Sequence, residues 1–90
     1  MINVSWTPRA LLDLAQHTRY VANFNPRAAI ILAQELRTAG RNLQTFPHRG
    51  RPGLVKNTRE LTAVWPYVII YRIVGQTVEI VRIWHGAQER

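Results

Sequence analysis

Four side chains near the C-terminal half, Arg59, Arg72, Arg82 and His85, are of types that could do chemistry together. A histidine can take or give a proton, and guanidinium groups neutralise the charge that builds on a phosphorane-like centre. That combination suits cleavage of RNA through its own 2′-hydroxyl. Other chemistries find little support. His17, His48 and His85 show no paired spacing and there is no cysteine, so no metal site is expected. Asp13, Glu35, Glu60, Glu79 and Glu89 form no carboxylate pair, and Ser5 is the only serine. No cofactor motif occurs: Pro47-His-Arg-Gly-Arg-Pro-Gly53 lacks the spacing of a phosphate-binding loop, and no helix follows it.

Positioning these groups falls to Trp65–His85, two runs rich in Val, Ile, Tyr and Trp parted by Gly75-Gln76. They read as a β-hairpin with a type II′ turn. A two-residue turn sets Val74 opposite Thr77, Arg72 opposite Glu79, Ile70 opposite Val81, Val68 opposite Ile83 and Tyr67 opposite Trp84. In that register Tyr67, Tyr71, Arg82 and Trp84 share one face with Ile69, Ile73, Val78 and Ile80, while Arg72 and His85 lie on the other. Arg72 then has a structural partner in Glu79, Arg82 among rings is a stacking or anion-binding position, and His85 is the leading functional histidine.

Upstream, Ile2-Asn-Val-Ser-Trp6 alternates as a short strand with Ile2, Val4 and Trp6 inward. Thr7-Pro8 caps and starts a helix with a stripe of Leu11, Leu14, Ala15, Thr18, Val21 and Ala22. Asn25-Pro26 starts a second, with Ala29, Ile30, Ala33, Leu36, Leu43 and Phe46 on one face and Gly40 leaving room for close approach. Two helices so closely joined form an antiparallel hairpin. The loop from Pro47 to Asn57 reads as a dynamic basic connector, with a flexible arm over a polyanion site as the functional alternative; Thr58–Val64 reads as a strand, and 86–90 as a polar tail. The expected fold is α+β, in the order β-α-α-β-β-β, with the helical hairpin on one face of an antiparallel-dominated sheet and one domain over 1–90.

The charge is +7, from twelve basic residues against five acidic, and eleven of the twelve are Arg. Such a chain attracts polyanions or acidic protein segments, and arginine favours bidentate pairing and stacking. The absence of cysteine fits a reducing compartment, and no stretch has the length or apolarity of a signal or membrane span, so a cytoplasmic protein without membrane association is expected.

Thr58-Arg-Glu-Leu61, Pro66-Tyr-Val-Ile-Ile-Tyr-Arg72 and Val78-Glu-Ile-Val-Arg-Ile-Trp-His-Gly-Ala-Gln88 together resemble the R-E-L, P-Y-x-I-x-Y-R and V-x-I-x-R-x-x-H-G-A-R/Q pattern of RelE/ParE-type toxins of bacterial type II toxin-antitoxin systems. The resemblance covers nearly the whole chain. It implies a growth inhibitor, of the kind associated with plasmid stabilisation, neutralised by a cognate antitoxin whose C-terminal segment wraps the toxin. It also implies that operator DNA is met only through the antitoxin complex. RelE-type members cut mRNA on the ribosome, whereas ParE-type members act on DNA gyrase. Val68 stands where the ribonuclease pattern Y-R-L-V-Y has an arginine, the lysine-rich stretch is reduced to Lys56 and Arg59, and Gln88 replaces a commonly basic residue. These departures favour the ParE-like branch: a non-enzymatic gyrase poison. The alternatives are a ribosome-dependent mRNA endonuclease with His85, Arg82 and Arg59 as its catalytic set, and a non-catalytic corepressor that binds antitoxin. The surface expected to meet antitoxin or target comprises Arg59, Tyr67, Tyr71, Arg82, Trp84 and His85.

Overall fold

The structure, a computed structural model, describes residues 2–86. The expectations for Gln88 and for the polar tail beyond Gly86 lie outside the described residues. Strand β1 (Asn3–Trp6) leads into helices α1 (Pro8–Ala22) and α2 (Pro26–Asn42). Strands β2 (Arg51–Pro52), β3 (Arg59–Val64), β4 (Tyr67–Val74) and β5 (Thr77–His85) follow. The α+β architecture and the helical hairpin are as the sequence indicates, with one added element, the two-residue β2.

Both helices start where capping chemistry dictates. Thr7 Oγ1 accepts the Ala10 N–H at 3.1 Å and Asn25 Oδ1 accepts that of Ala28 at 3.1 Å, each followed by proline at the first helical position. The buried stripes include the expected Leu14, Ala29, Leu36 and Leu43 but differ at other positions. Ala10 and Leu14 face inward on α1, and Leu32, Leu36, Ala39 and Leu43 do so along α2, while Leu11, Ile30 and Phe46 are exposed. The spacing 32, 36, 39, 43 is one helical face, and Ile30 falls on the opposite side of it. Gly40 does permit close approach: a Cβ there would stand 2.8 Å from both Trp6 and Ile80 side chains.

The sheet order is β1-β5-β4-β3-β2, with β1 parallel to β5 and the other neighbours antiparallel. The strand nearest the N-terminus thus lies beside the last. Gly75 has φ +58° at the first central position, as a type II′ turn requires, and Arg72 faces Glu79 as expected.

Beyond Tyr71 the expected register fails. Tyr71 pairs with Ile80 but Ile70 pairs with Arg82, leaving Val81 as an extra residue; Val68 then faces Trp84 and Tyr67 faces His85. A β-bulge inserts one residue and reverses every later side chain. It falls where β1 ends and α1 takes over the flank of β5, with Thr7 N–H bonded to the Ile80 carbonyl and Thr7 Oγ1 donating to that of Val81. The helix-covered face therefore holds Tyr67, Ile69, Tyr71, Ile73, Val78, Ile80, Ile83 and His85, and most of these belong to the main core. Arg72, Arg82 and Trp84 share the other face, so Arg82 and Trp84 are not beside Tyr67 and Tyr71.

Candidate functional site

The bulge decides what each candidate side chain can do. Tyr71 is fully buried, and its hydroxyl accepts the Gly50 N–H at 2.8 Å and donates to the Pro47 carbonyl at 2.7 Å. It ties the loop after α2 to the sheet and presents nothing to a partner, which corrects its expected place on a binding surface. Burial pushes its pKa upward, opposed by the Gly50 N–H and by the charges of Arg59 and Arg49.

Tyr67 sits at the other end of β4, between two histidines. Its ring meets His17 edge to face at 5.1 Å and His85 at 5.3 Å, so three rings stand in a row across α1, β4 and β5. Burial raises the Tyr67 pKa, and the nearby Tyr20 adds to the effect. His17 Nε2 lies 2.8 Å from the Ile83 carbonyl. A carbonyl only accepts, so this nitrogen carries the hydrogen.

Arg82 is engaged by a carboxylate. Its Nε donates to Asp13 Oδ2 at 2.8 Å and its Nη2 to Oδ1 at 3.4 Å, while Asp13 Oδ2 also accepts the Ile83 N–H at 2.9 Å. The guanidinium rests 5.6 Å from the Trp84 ring centre. Asp13 and His17 were not singled out in the sequence, yet together they occupy the N–H and C=O of Ile83 as a neighbouring strand would. Their spacing of four, next to Leu14, was the available signal: one face of α1, bordering its apolar stripe.

Arg59 lies at the opposite end of the sheet. Its Nη1 donates to the carbonyls of Gly50 at 2.7 Å and His48 at 3.4 Å. Arg59 is opposite Tyr71 and His85 opposite Tyr67. Four residues along β4 put about 13 Å between those levels at ~3.3 Å per residue. The structure does not bring Arg59, Arg82 and His85 into one site. Arg72 donates from Nε to Glu79 Oε1 at 2.6 Å, the cross-strand pair expected of it.

Near Arg59 a second group gathers. A cavity of about 630 Å³ is lined by His48, Lys56, Arg59 and Arg72, together with Pro52, Val55, Ile73 and Val74. Backbone hydrogen bonds shape the loop forming one wall. Thr58 N–H bonds to the Val55 carbonyl and Gly53 N–H to the Thr58 carbonyl, and Asn57 has φ 67°. That is a type II turn with asparagine at its left-handed position and Lys56 at its tip. Among the described residues no group of three or more potential metal ligands occurs, and no helix is long and apolar enough to cross a membrane.

The chain matches the family model for the ParE toxin of type II toxin-antitoxin systems, parDE, over residues 4–90. It is 44% identical over 88 residues to Toxin RelE2 of Caulobacter vibrioides, covering 98% of this chain and 99% of that protein. Toxin RelE1 of the same organism is 36% identical over 85 residues, 91% of this chain and 90% of that one. Among solved structures, the chromosomal ParDE toxin-antitoxin system of P. aeruginosa superimposes with a TM-score of 0.86 at 28% identity, covering 94% of this chain and 96% of that one. The RelBE2 complex of Mycobacterium tuberculosis, at TM-score 0.60 and 24% identity over 93% of this chain and 96% of that one, bears on the fold alone. With the family model spanning nearly its whole length, the chain belongs to the ParE toxins of type II toxin-antitoxin systems, within the RelE/ParE superfamily.

Proposed function

We propose that this toxin arrests growth in the cytoplasm by holding DNA gyrase, not by cutting RNA, and that a cognate antitoxin neutralises it. The observation that carries the reading is the dispersal of the ribonuclease set. Arg82 is matched by Asp13, and Arg59 is bound to loop carbonyls about 13 Å of strand away from the level of His85. General acid-base catalysis needs its groups within hydrogen-bond reach of one substrate. A binding poison has no such requirement.

Exposed apolar side chains on the helical hairpin, among them Leu12, Tyr20, Phe24 and Ile30, support the antitoxin part of the reading. Between α1 and α2 runs a groove of about 510 Å³ lined largely by small side chains, including Ala15, Ala22, Ala29 and Ala33. Apolar residues of a segment that orders on binding would fill it, with Arg19 on its border for an acidic neighbour.

Induction in cells tests the mode of action. Gyrase poisoning gives double-strand-broken DNA, a DNA-damage response and filamentation, and His85→Ala retains that activity. Rapid loss of translation with codon-phased mRNA ends, together with a fall of about 10²-fold in cleavage for His85→Ala, would establish the endonuclease instead.

A further inference from the structure

The cavity at the turn end of β4 joins four features. It holds Lys56, Arg59, Arg72 and His48, and no carboxylate lines it. Lys56 makes no hydrogen bond or ion pair among the described residues, and its turn is closed by the bonds between Thr58 and Val55 and between Gly53 and Thr58. β3 begins opposite Tyr71, so Arg72 to Val74 have no strand neighbour on that side. Because Val74 and Arg72 turn their backbone groups to β5, the N–H of Ile73 faces the gap. An exposed ammonium on a closed turn, two guanidinium groups and a strand-edge N–H thus line one open cleft.

We propose that this cleft itself grips the phosphodiester backbone of duplex DNA. The inference rests on the gyrase reading. Phosphate oxygens are acceptors only, and a groove that offers donors with no competing carboxylate suits them. Arg72 keeps Nη atoms for such an acceptor while its Nε remains on Glu79. The apolar strip of Val55, Ile73 and Val74 matches sugar carbons beside the phosphates. An acidic peptide is the rival occupant. Backbone contacts carry no sequence information, so binding is expected to be indifferent to sequence and steeply salt-dependent.

The test uses the full chain with a fluorescein-labelled duplex of mixed sequence, read by anisotropy across a salt series. Lys56→Glu should weaken binding about tenfold at low salt and lower the slope of log K against log salt by about one. Lys56→Arg should restore both. Arg37→Glu, the same charge change on the exposed side of α2, should leave the slope within experimental error of the parent. Equal losses for Lys56→Glu and Arg37→Glu would mean diffuse attraction and overturn the proposal, as would failure of the parent to bind duplex. Displacement of the duplex by polyglutamate at equal charge concentration would overturn it in favour of an acidic peptide, and preference for single-stranded RNA would overturn it in favour of the endonuclease. If binding fails while induced cells still show broken DNA, the cleft proposal falls and the gyrase reading stands. Intact Lys56-dependent binding without DNA breakage marks the reverse.

Discussion

Tyr71 shows how one side chain can be both core and clasp. Its ring fills space against Gly50, where a Cβ would stand 2.8 Å from the ring, and its hydroxyl satisfies a donor and an acceptor of the loop. Tyr71→Phe keeps the ring but leaves the Gly50 N–H and Pro47 carbonyl without that partner, at about 1 to 3 kcal/mol, measurable by urea unfolding at neutral pH. The pH dependence has a definite sign. Both Tyr71 and Tyr67 have pKa values raised above the usual 10.0 in the folded chain, burial being the main cause. Below pH 10 neither state ionises them and their contribution is constant. Above it the unfolded chain loses the proton first, so stability falls with rising pH through the window above 10. Tyr71→Phe should flatten part of that alkaline fall and leave the share due to Tyr67. The sequence marked Tyr71 by its place in a β pattern and its aromatic type. It could not reveal that the hydroxyl closes a contact with Pro47, 24 residues away, because that depends on where the loop returns.

Among the elements, α1 does more than cover the sheet. β1 ends opposite Ile80, and from there α1 serves the flank of β5 through Thr7, Asp13 and His17. Asp13 is 3% exposed and is held by Arg82, by the Ile83 N–H and, at 3.5 Å, by Arg9. Removing its carboxylate leaves a strand donor and a partly covered guanidinium unmatched. Asp13→Ala should cost about 2 to 4 kcal/mol, whereas Asp13→Asn, which keeps an oxygen for Ile83, should cost less; hydrogen exchange at the Ile83 amide distinguishes loss of this clasp from general loosening. Local signals foretold the elements well: caps at Thr7 and Asn25, the glycine turn at 75, and alternation in β1. The bulge at Val81 left no such mark, since Ile80-Val-Arg-Ile83 reads as regular strand. It follows from the handover between β1 and α1 at Thr7, which meets Val81 from 74 residues upstream. The facial assignment of Arg82, Trp84 and His85 went with it.

For the molecule as a whole, caps and periodicities made the α+β order and the helical hairpin on one sheet face legible, and the short strings in β3 to β5 made the superfamily legible. The parallel pairing of β1 with β5 and the cleft beside Lys56 were not legible, because each joins segments that no local periodicity links. The long reach of β1 also sets when the toxin can exist. The Thr7–Val81 bond spans 74 residues, Asn3 pairs with Thr77, and β5 is flanked by β1, β4 and α1. A chain halted before Thr77 has synthesised both helices and most of the core side chains, yet lacks the strand on which they close. Stalled nascent chains ending before Thr77 should be cleaved rapidly by protease, and chains extended so that residue 86 has cleared the ribosome should resist it; resistance of the shorter chains would show that β5 is dispensable for closure. Because β5 completes the described fold, a round of translation interrupted before Thr77 should leave an open chain with no assembled toxin surface.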